Sequence, residues 1–345
     1  MMIYPPKPQA GDKVAVLSPS AGLPGILPLP FEAGLRVLRE EFGLVPVEFP
    51  ATRVMGASAR ERAADVNAAF ADPSIKAVIA SIGGDDQITV TPYLDDEVIR
   101  ACPKPFFGYS DNTNLLLHLW NLGIVAYHGG SVMCQFGRCG GMHPASAESL
   151  RAALFTSGPY KLPESFEFSD LDKPWDDPAS FDAPAPTRPC DGWYWHNPDR
   201  VVEGATWGGN LEILSWLLMA DRGIRAAPAY EGMVLIVETS EELPSSEEVF
   251  RILRNMGERG LLAKFPAILV GRAKAWSFNR PLTPEEQTAY ARDQRAAVLK
   301  ALAHYAPDTL AVFDVDFGHT DPQVVIPYGG QIRVDGPART ITVTY

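Results

Sequence analysis

Apolar and polar positions along this chain switch repeatedly between two periods. VAVLSPS, from Val14 to Ser20, reads as a buried strand closed by a turn. From Phe31 to Phe42 the period lengthens, and Phe31, Leu35, Leu38 and Phe42 share one helical face. VPVEF, from Val45 to Phe49, is strand-like. Ser58 and Glu61 have the spacing of a capping box, which predicts a helix ending near Asp72-Pro73. AVIASI, from Ala77 to Ile82, is a second buried strand, ended by Gly83-Gly84. PFFGYS, a leucine-rich helix through Trp120, and GIVAYHG follow. Strands separated by helices predict a parallel sheet with helices on both faces.

Between about Leu162 and Asp191 the period disappears. The stretch is rich in Pro, Asp and Ser and reads as a linker or a long functional loop. The predicted organisation is an α/β domain over 1–161, a linker with an aromatic loop over 162–200, and a second domain over 201–345. In that second part GATWGGNLEILSWLL suggests a Gly-rich turn feeding a helix, and Met233–Glu238 and Ala267–Arg272 read as buried strands. Ser245 with Glu248, and Thr283-Pro284-Glu285-Glu286, open helices. LAVFDVDFGHTDP carries a strand into a turn, and VVIPYGG, QIRV and TITVTY are predicted to be short antiparallel strands.

The length of 345 residues fits two domains of roughly 150 residues each. The formal charge of −12 argues against nucleic acid and anionic membrane as partners. No apolar run is long enough to span a bilayer, and MMIYPPKPQAGDK lacks a basic and apolar leader, so the expected location is cytoplasmic. The four cysteines include one C-x4-C pair, Cys134 and Cys139, with no second pair behind it. Reduced thiols are the expectation, and no metal site is predicted. No G-x-G-x-x-G or Walker-type loop is present, so no nucleotide cofactor is expected.

In an open parallel sheet, ligands bind beyond the carboxyl ends of the strands. Four such ends here carry glycine or polar residues: Gly83-Gly84, Ser110-Asp111, Glu238-Thr239 and Gly318-His319. A serine nucleophile needs a base, and the base needs a carboxylate to fix its tautomer. Ser110 has two readings. It is the N-cap of the following helix, or it is a nucleophile presented beside free helix N–H groups. G-x-S-x-G is incomplete, because Asn112 stands at the second glycine. Gly83, Gly84 and Asp85 are candidate substrate contacts, and Asp85 and Asp86 argue against phosphate there. Trp193 and Trp195, near the linker's end, either cover core or form a stacking wall. His128 and His196 are candidates for a cleft lining, and Glu241 and Glu242 read as exposed loop charge.

SIGGDDQITVTPYLD, FFGYSDNTNLLLHLW, GATWGGNLEIL, LIVETSEE and DFGHTDPQVVIPYGG together resemble the signature segments of the LD-carboxypeptidase family of serine peptidases. The match runs from about Gly11 to Ile332. Ile82, before the glycine pair, is closer to the microcin-C-immunity branch than to the peptidoglycan-recycling branch, which has arginine there. The resemblance implies a flavodoxin-like parallel α/β domain followed by a smaller, swivelling-type β/α domain. It implies Ser110 as nucleophile, Glu238 as carboxylate, His319 as base, and the amides of Gly84 and Asp111 as oxyanion hole. It further implies a homodimer without cofactor or metal, acting on a short peptide or peptidyl nucleotide, with a linker tryptophan stacking on a nucleobase.

Overall fold

The computed structural model describes residues 2–345. In the first part, β1 (Lys13–Leu17), β2 (Val45–Glu48), β3 (Ile75–Ala80), β4 (Phe106–Gly108) and β5 (Ala126–His128) are all parallel, in the order β2-β1-β3-β4-β5. Alternating with or following them are α1 (Pro28–Glu40), α2 (Ala59–Ala71), α3 (Asp96–Ala101), α4 (Thr113–Asn121) and α5 (Pro144–Phe155). This is the flavodoxin-like order. Val14 to Leu17, Ala77 to Ala80, and Phe106 and Phe107 are fully buried. Strands covered on both faces read as unbroken apolar runs, which is how these appear in the sequence.

The rest of the chain adds β6 (Pro159–Lys161), β7 (Glu167–Phe168), β8 (Arg188–Pro189), β9 (Tyr194–His196), β10 (Val201–Asn210), β11 (Val234–Glu238), β12 (Ala267–Gly271) and β13 (Leu310–Val315). Then come β14 (Ile326–Tyr328), β15 (Gln331–Asp335) and β16 (Thr340–Thr344). The helices of this part are α6 (Leu211–Ala220), α7 (Ser246–Glu258) and α8 (Pro284–Tyr305). The second sheet runs β6-β16-β15-β10-β11-β12-β13-β9, with β10 to β13 parallel and the flanking pairs antiparallel. The three capping boxes close as their spacing predicts, at Ser58/Glu61, Ser245/Glu248 and Thr283/Glu286. No described helix is long and apolar enough to cross a membrane.

The sheets exchange strands. β14 pairs antiparallel with β5 of the first sheet, Ile326 opposite His128. That crossing draws the turn after β13, and with it His319, to the rim of the first sheet.

Two local expectations are corrected. The predicted Gly-rich turn in GATWGGN is the second half of one continuous strand, β10. Gly208 and Gly209 have φ of +138° and +117°, and a Cβ on Gly208 would lie 1.9 Å from the Ile236 carbonyl oxygen. These glycines serve close approach of backbones rather than a change of direction. The Pro/Asp-rich segment also carries regular structure, because β7 and β8 pair antiparallel within it.

Candidate active site

Ser110 stands between β4 and α4 with φ of +61°. A side chain in this left-handed region costs on the order of 1–2 kcal/mol. Such a conformation persists where the surroundings over-determine it. The capping reading of Ser110 is corrected. The N-cap positions of the short 3₁₀ turn Ser110–Asn112 and of α4 are Tyr109 and Asn112, and neither makes a side-chain cap. Gln87 takes that role from a distance, its Oε1 accepting the Leu115 amide at 3.0 Å. Its Nε2 donates to Asn112 Oδ1 (2.9 Å) and Ser20 Oγ (3.1 Å), and its own amide donates to Asp111 Oδ2 (3.0 Å).

Asn112 explains the missing glycine of G-x-S-x-G. Its Nδ2 donates to the carbonyls of Ile82 (3.1 Å) and Tyr109 (3.0 Å), tying the two strand ends together. A Cβ on Gly108 would come within 3.0 Å of the Asn112 side chain. The glycine at 108 and the asparagine at 112 are therefore a matched pair.

Glu238 ends β11 with its side chain fully buried. It packs on two glycines: a Cβ on Gly271 or on Gly318 would lie 2.8 Å from Glu238 Cβ. Its Oε2 lies 2.5 Å from His319 Nδ1. Its Oε1 is 3.8 Å from Nε2 of the fully buried His128, and has no hydrogen-bond partner among the described residues. Burial pushes the Glu238 carboxyl up, but the charge of His319, together with His128, overcomes this and brings it down to about 2. Burial likewise pushes His319 down, and the charge of Glu238, followed by those of Glu241 and Glu212, raises it to about 9. Tyr109, the residue before Ser110, meets the His319 ring edge-on with centroids 5.0 Å apart. The Ser110 turn, Glu238 and His319 thus converge from three distant parts of the chain.

Of the glycine pair, Gly83 is the one against the serine. A Cβ there would lie 3.0 Å from Ser110 Cβ and 3.1 Å from its Oγ. A Cβ on Gly84 would instead meet Ser20 and the Ala21 amide. Neither the Gly84 nor the Asp111 amide donates to another described residue. Asp85 is exposed beside them. Asp86 is held by Arg62, whose two terminal nitrogens lie 2.6 and 2.8 Å from its carboxylate oxygens.

Trp193 and Trp195 require a correction. Both are buried, and their rings pack at 6.5 Å from each other. The Trp193 indole donates to Asp316 Oδ2 at 2.8 Å, and Trp195 sits in edge strand β9 opposite Val312. They cover core, and neither offers an open stacking face. The four cysteines are free, and no group of metal-ligating side chains occurs among the described residues.

Several participants escaped sequence reasoning. Glu212, in the first turn of α6, is buried, and its Oε1 accepts from the Ser240 amide (2.8 Å) and hydroxyl (2.7 Å). Burial, then the charge of Glu238, raises its carboxyl to about 7. Glu241 is exposed loop charge, as its sequence context predicts, but its Oε2 also lies 3.4 Å from His319 Nε2. A glutamate two residues into an amphipathic helix, or in a run of charged loop residues, carries no local signal of such contacts.

Residues 14–129 match the model of the LD-carboxypeptidase N-terminal domain, and residues 203–334 that of the C-terminal domain. The microcin C7 self-immunity protein MccF of Escherichia coli is 26% identical, over 83% of this chain and 78% of that protein. A Bacillus subtilis protein named "Probable murein peptide carboxypeptidase" is also 26% identical, over 82% of this chain and 76% of its own length. The structure of MccF in complex with aspartyl sulfamoyl adenosine superposes with a TM-score of 0.84 at 22% identity, covering 99% of this chain and 98% of that one. The two family models, one for each half of this fold and in the same order, show that the chain belongs to the LD-carboxypeptidase family.

Proposed function

We propose that the protein is a serine hydrolase that cleaves an amide bond near the C-terminus of a short peptide or peptidyl conjugate. The observation that carries this reading is the buried Glu238–His319 pair at 2.5 Å, packed against the strained Ser110 turn through Tyr109. Glu238 holds the Nδ1 proton of His319, so the neutral ring offers Nε2 as base. His319 Nε2 takes the Ser110 proton as Oγ bonds to the amide carbonyl. The amides of Gly84 and Asp111 stabilise the oxyanion, at about 3 kcal/mol per donor. The C–N bond then breaks, the amine leaves with the proton held by His319, and water hydrolyses the acyl-enzyme.

The favoured substrate is a peptidyl or aminoacyl nucleotide, on the strength of the likeness to MccF and of Ile82 before the glycine pair. A cell-wall tetrapeptide losing its terminal D-amino acid is the second reading, favoured by the murein-peptide relative. The experiment is a paired assay of aspartyl sulfamoyl adenosine and a muropeptide tetrapeptide, run beside fluorophosphonate labelling. Turnover of one of them, labelling at Ser110, and loss of both in a folded Ser110→Ala variant are expected. Wild-type turnover in that variant would remove Ser110 from the mechanism.

A further inference from the structure

His319 carries a carboxylate at each ring nitrogen. Nδ1 is 2.5 Å from Glu238 Oε2, and Nε2 is 3.4 Å from Glu241 Oε2. The two carboxylates differ in freedom. Glu238 is wedged between Gly271 and Gly318, whereas the Glu241 side chain is 57% exposed. The turn that bears Glu241 is itself fixed, because Glu212 holds both the amide and the hydroxyl of Ser240. Only the Glu241 side chain is therefore able to swing.

Nε2 is the nitrogen that must receive the Ser110 proton. An imidazolium with its Nε2–H directed at Glu241 has no lone pair to receive it. We propose that Glu241 is a specificity-determining gate, which keeps His319 charged and idle until an ammonium group of the substrate draws the Glu241 carboxylate away. The proposal rests on the hydrolase reading above and names a feature of its substrate: a free amine within reach of the scissile carbonyl. When the ammonium pairs with Glu241, His319 releases the Nε2 proton to solvent and becomes the base. An acylated amine makes no such exchange.

The neighbourhood of His319 suits this exchange. Facing it are Glu238 from β11, Glu241 from the following turn, Glu212 from α6, and Asp172 from the Pro/Asp-rich segment. Tyr109 borders the ring, and His128 lies on the far side of Glu238. Lys274 is already engaged, with its Nζ 2.6 Å from Asp172 Oδ1. The site is thus rich in negative charge, and a substrate cation supplies what it lacks.

The test compares wild type with Glu241→Gln in two measurements. The first is the rate of fluorophosphonate labelling at Ser110 from pH 6 to 10. The second is kcat/KM for the substrate selected by the paired assay, with the amine nearest the scissile carbonyl free or acetylated. Without the Glu241 charge, labelling at pH 7 should be about fivefold faster, the scale of a partly exposed ion pair, and should match wild type at pH 10. Wild type should prefer the free amine by about fivefold, and the variant by less than about twofold. Superimposable labelling profiles, or an amine preference that survives the substitution, would overturn the gate while leaving the hydrolase intact. A wild-type protein that neither labels nor turns over either substrate would remove the hydrolase reading and the gate with it.

Discussion

Gly83→Ala places one methyl group against the proposed nucleophile and almost nothing else. The new Cβ would lie 3.0 Å from Ser110 Cβ, 3.1 Å from Oγ and 3.6 Å from the Asp111 amide nitrogen. Carbon contacts are comfortable at about 3.5–4.0 Å, so the serine side chain must yield by roughly half an ångström. Gly83 is not among the residues with positive φ, so the backbone accepts alanine. Lost freedom in the unfolded chain stabilises the variant by about 0.4–1 kcal/mol, while crowding costs about 1–3 kcal/mol. The net destabilisation should stay below about 2.6 kcal/mol, read as a drop in the thermal midpoint. Activity should respond more strongly. Misplacement by about 1 Å costs roughly 100-fold, so a shift of half that size should lower kcat/KM about tenfold, and the fluorophosphonate rate with it. Both rates are to be measured on protein shown by circular dichroism to be folded. A variant that is folded, and as fast as wild type in both assays, would show that Ser110 Oγ is not the reacting atom.

Strain at Ser110 predicts that Ser110→Gly is more stable than Ser110→Ala by about 1 kcal/mol, because glycine accepts the φ of +61° freely; calorimetry giving the opposite order would reject strain at this turn. A base that must be neutral, and is held at about 9, predicts that kcat/KM rises with pH up to about 9, and a limb near 7 would count against the pairing. The same raised value contributes stability that is complete below pH 6.5 and lost as pH rises through about 9, so the advantage of wild type over His319→Gln should shrink across that interval. Glu212, raised by burial to about 7, makes the folded state less favourable as pH climbs from 4.5 to 7. Glu212→Gln keeps an acceptor for Ser240, so its stability relative to wild type should grow over that range and stay level above it. A flat difference in urea titrations would contradict this.

What could be read before folding was what depends on local spacing. A capping box lies within one helical turn, so Ser58, Ser245 and Thr283 revealed their helices unaided. The strand ends at Gly83 and Ser110 were legible for a related reason, because carboxyl ends of parallel strands in one sheet share a rim; Glu238 ends a parallel strand of the other sheet. Partner choice across the fold was not legible. Ser110 has the composition of a cap, and only the arrival of Gln87, 28 residues before the Leu115 amide it accepts from, removes the need for one. The glycines of β10 carry the usual signature of a turn, and only the neighbouring Ile236 carbonyl shows why the strand needs them. His128 lies beside Glu238 because β14 crosses from one sheet to the other, a pairing that no local pattern announces.

Two carboxylates at the carboxyl ends of β11 and β13, strands separated by β12, show what separates a working group from a structural one. VLIVE and FDVD both run an apolar strand into an acid, and both acids, Glu238 and Asp316, are buried. Asp316 is surrounded by fixed donors: the Trp193 indole at 2.8 Å, the Ser165 amide at 3.1 Å and Arg272 at 3.1 Å. Burial still pushes its carboxyl up, but these three donors fix it in place, so it anchors the Pro/Asp-rich segment, and Trp193 with it, to the second sheet. Glu238 is bonded by His319 through Oε2, while its Oε1 faces His128 at 3.8 Å with no hydrogen bond from a described residue. An oxygen left unbonded in a buried carboxylate costs stability unless the arrangement does something else. Here the carboxylate makes its one hydrogen bond to the His319 imidazole, with the His128 ring 3.8 Å away on its other side. This is the electrostatic requirement for holding one tautomer of His319 and stabilising the imidazolium that forms when Ser110 gives up its proton.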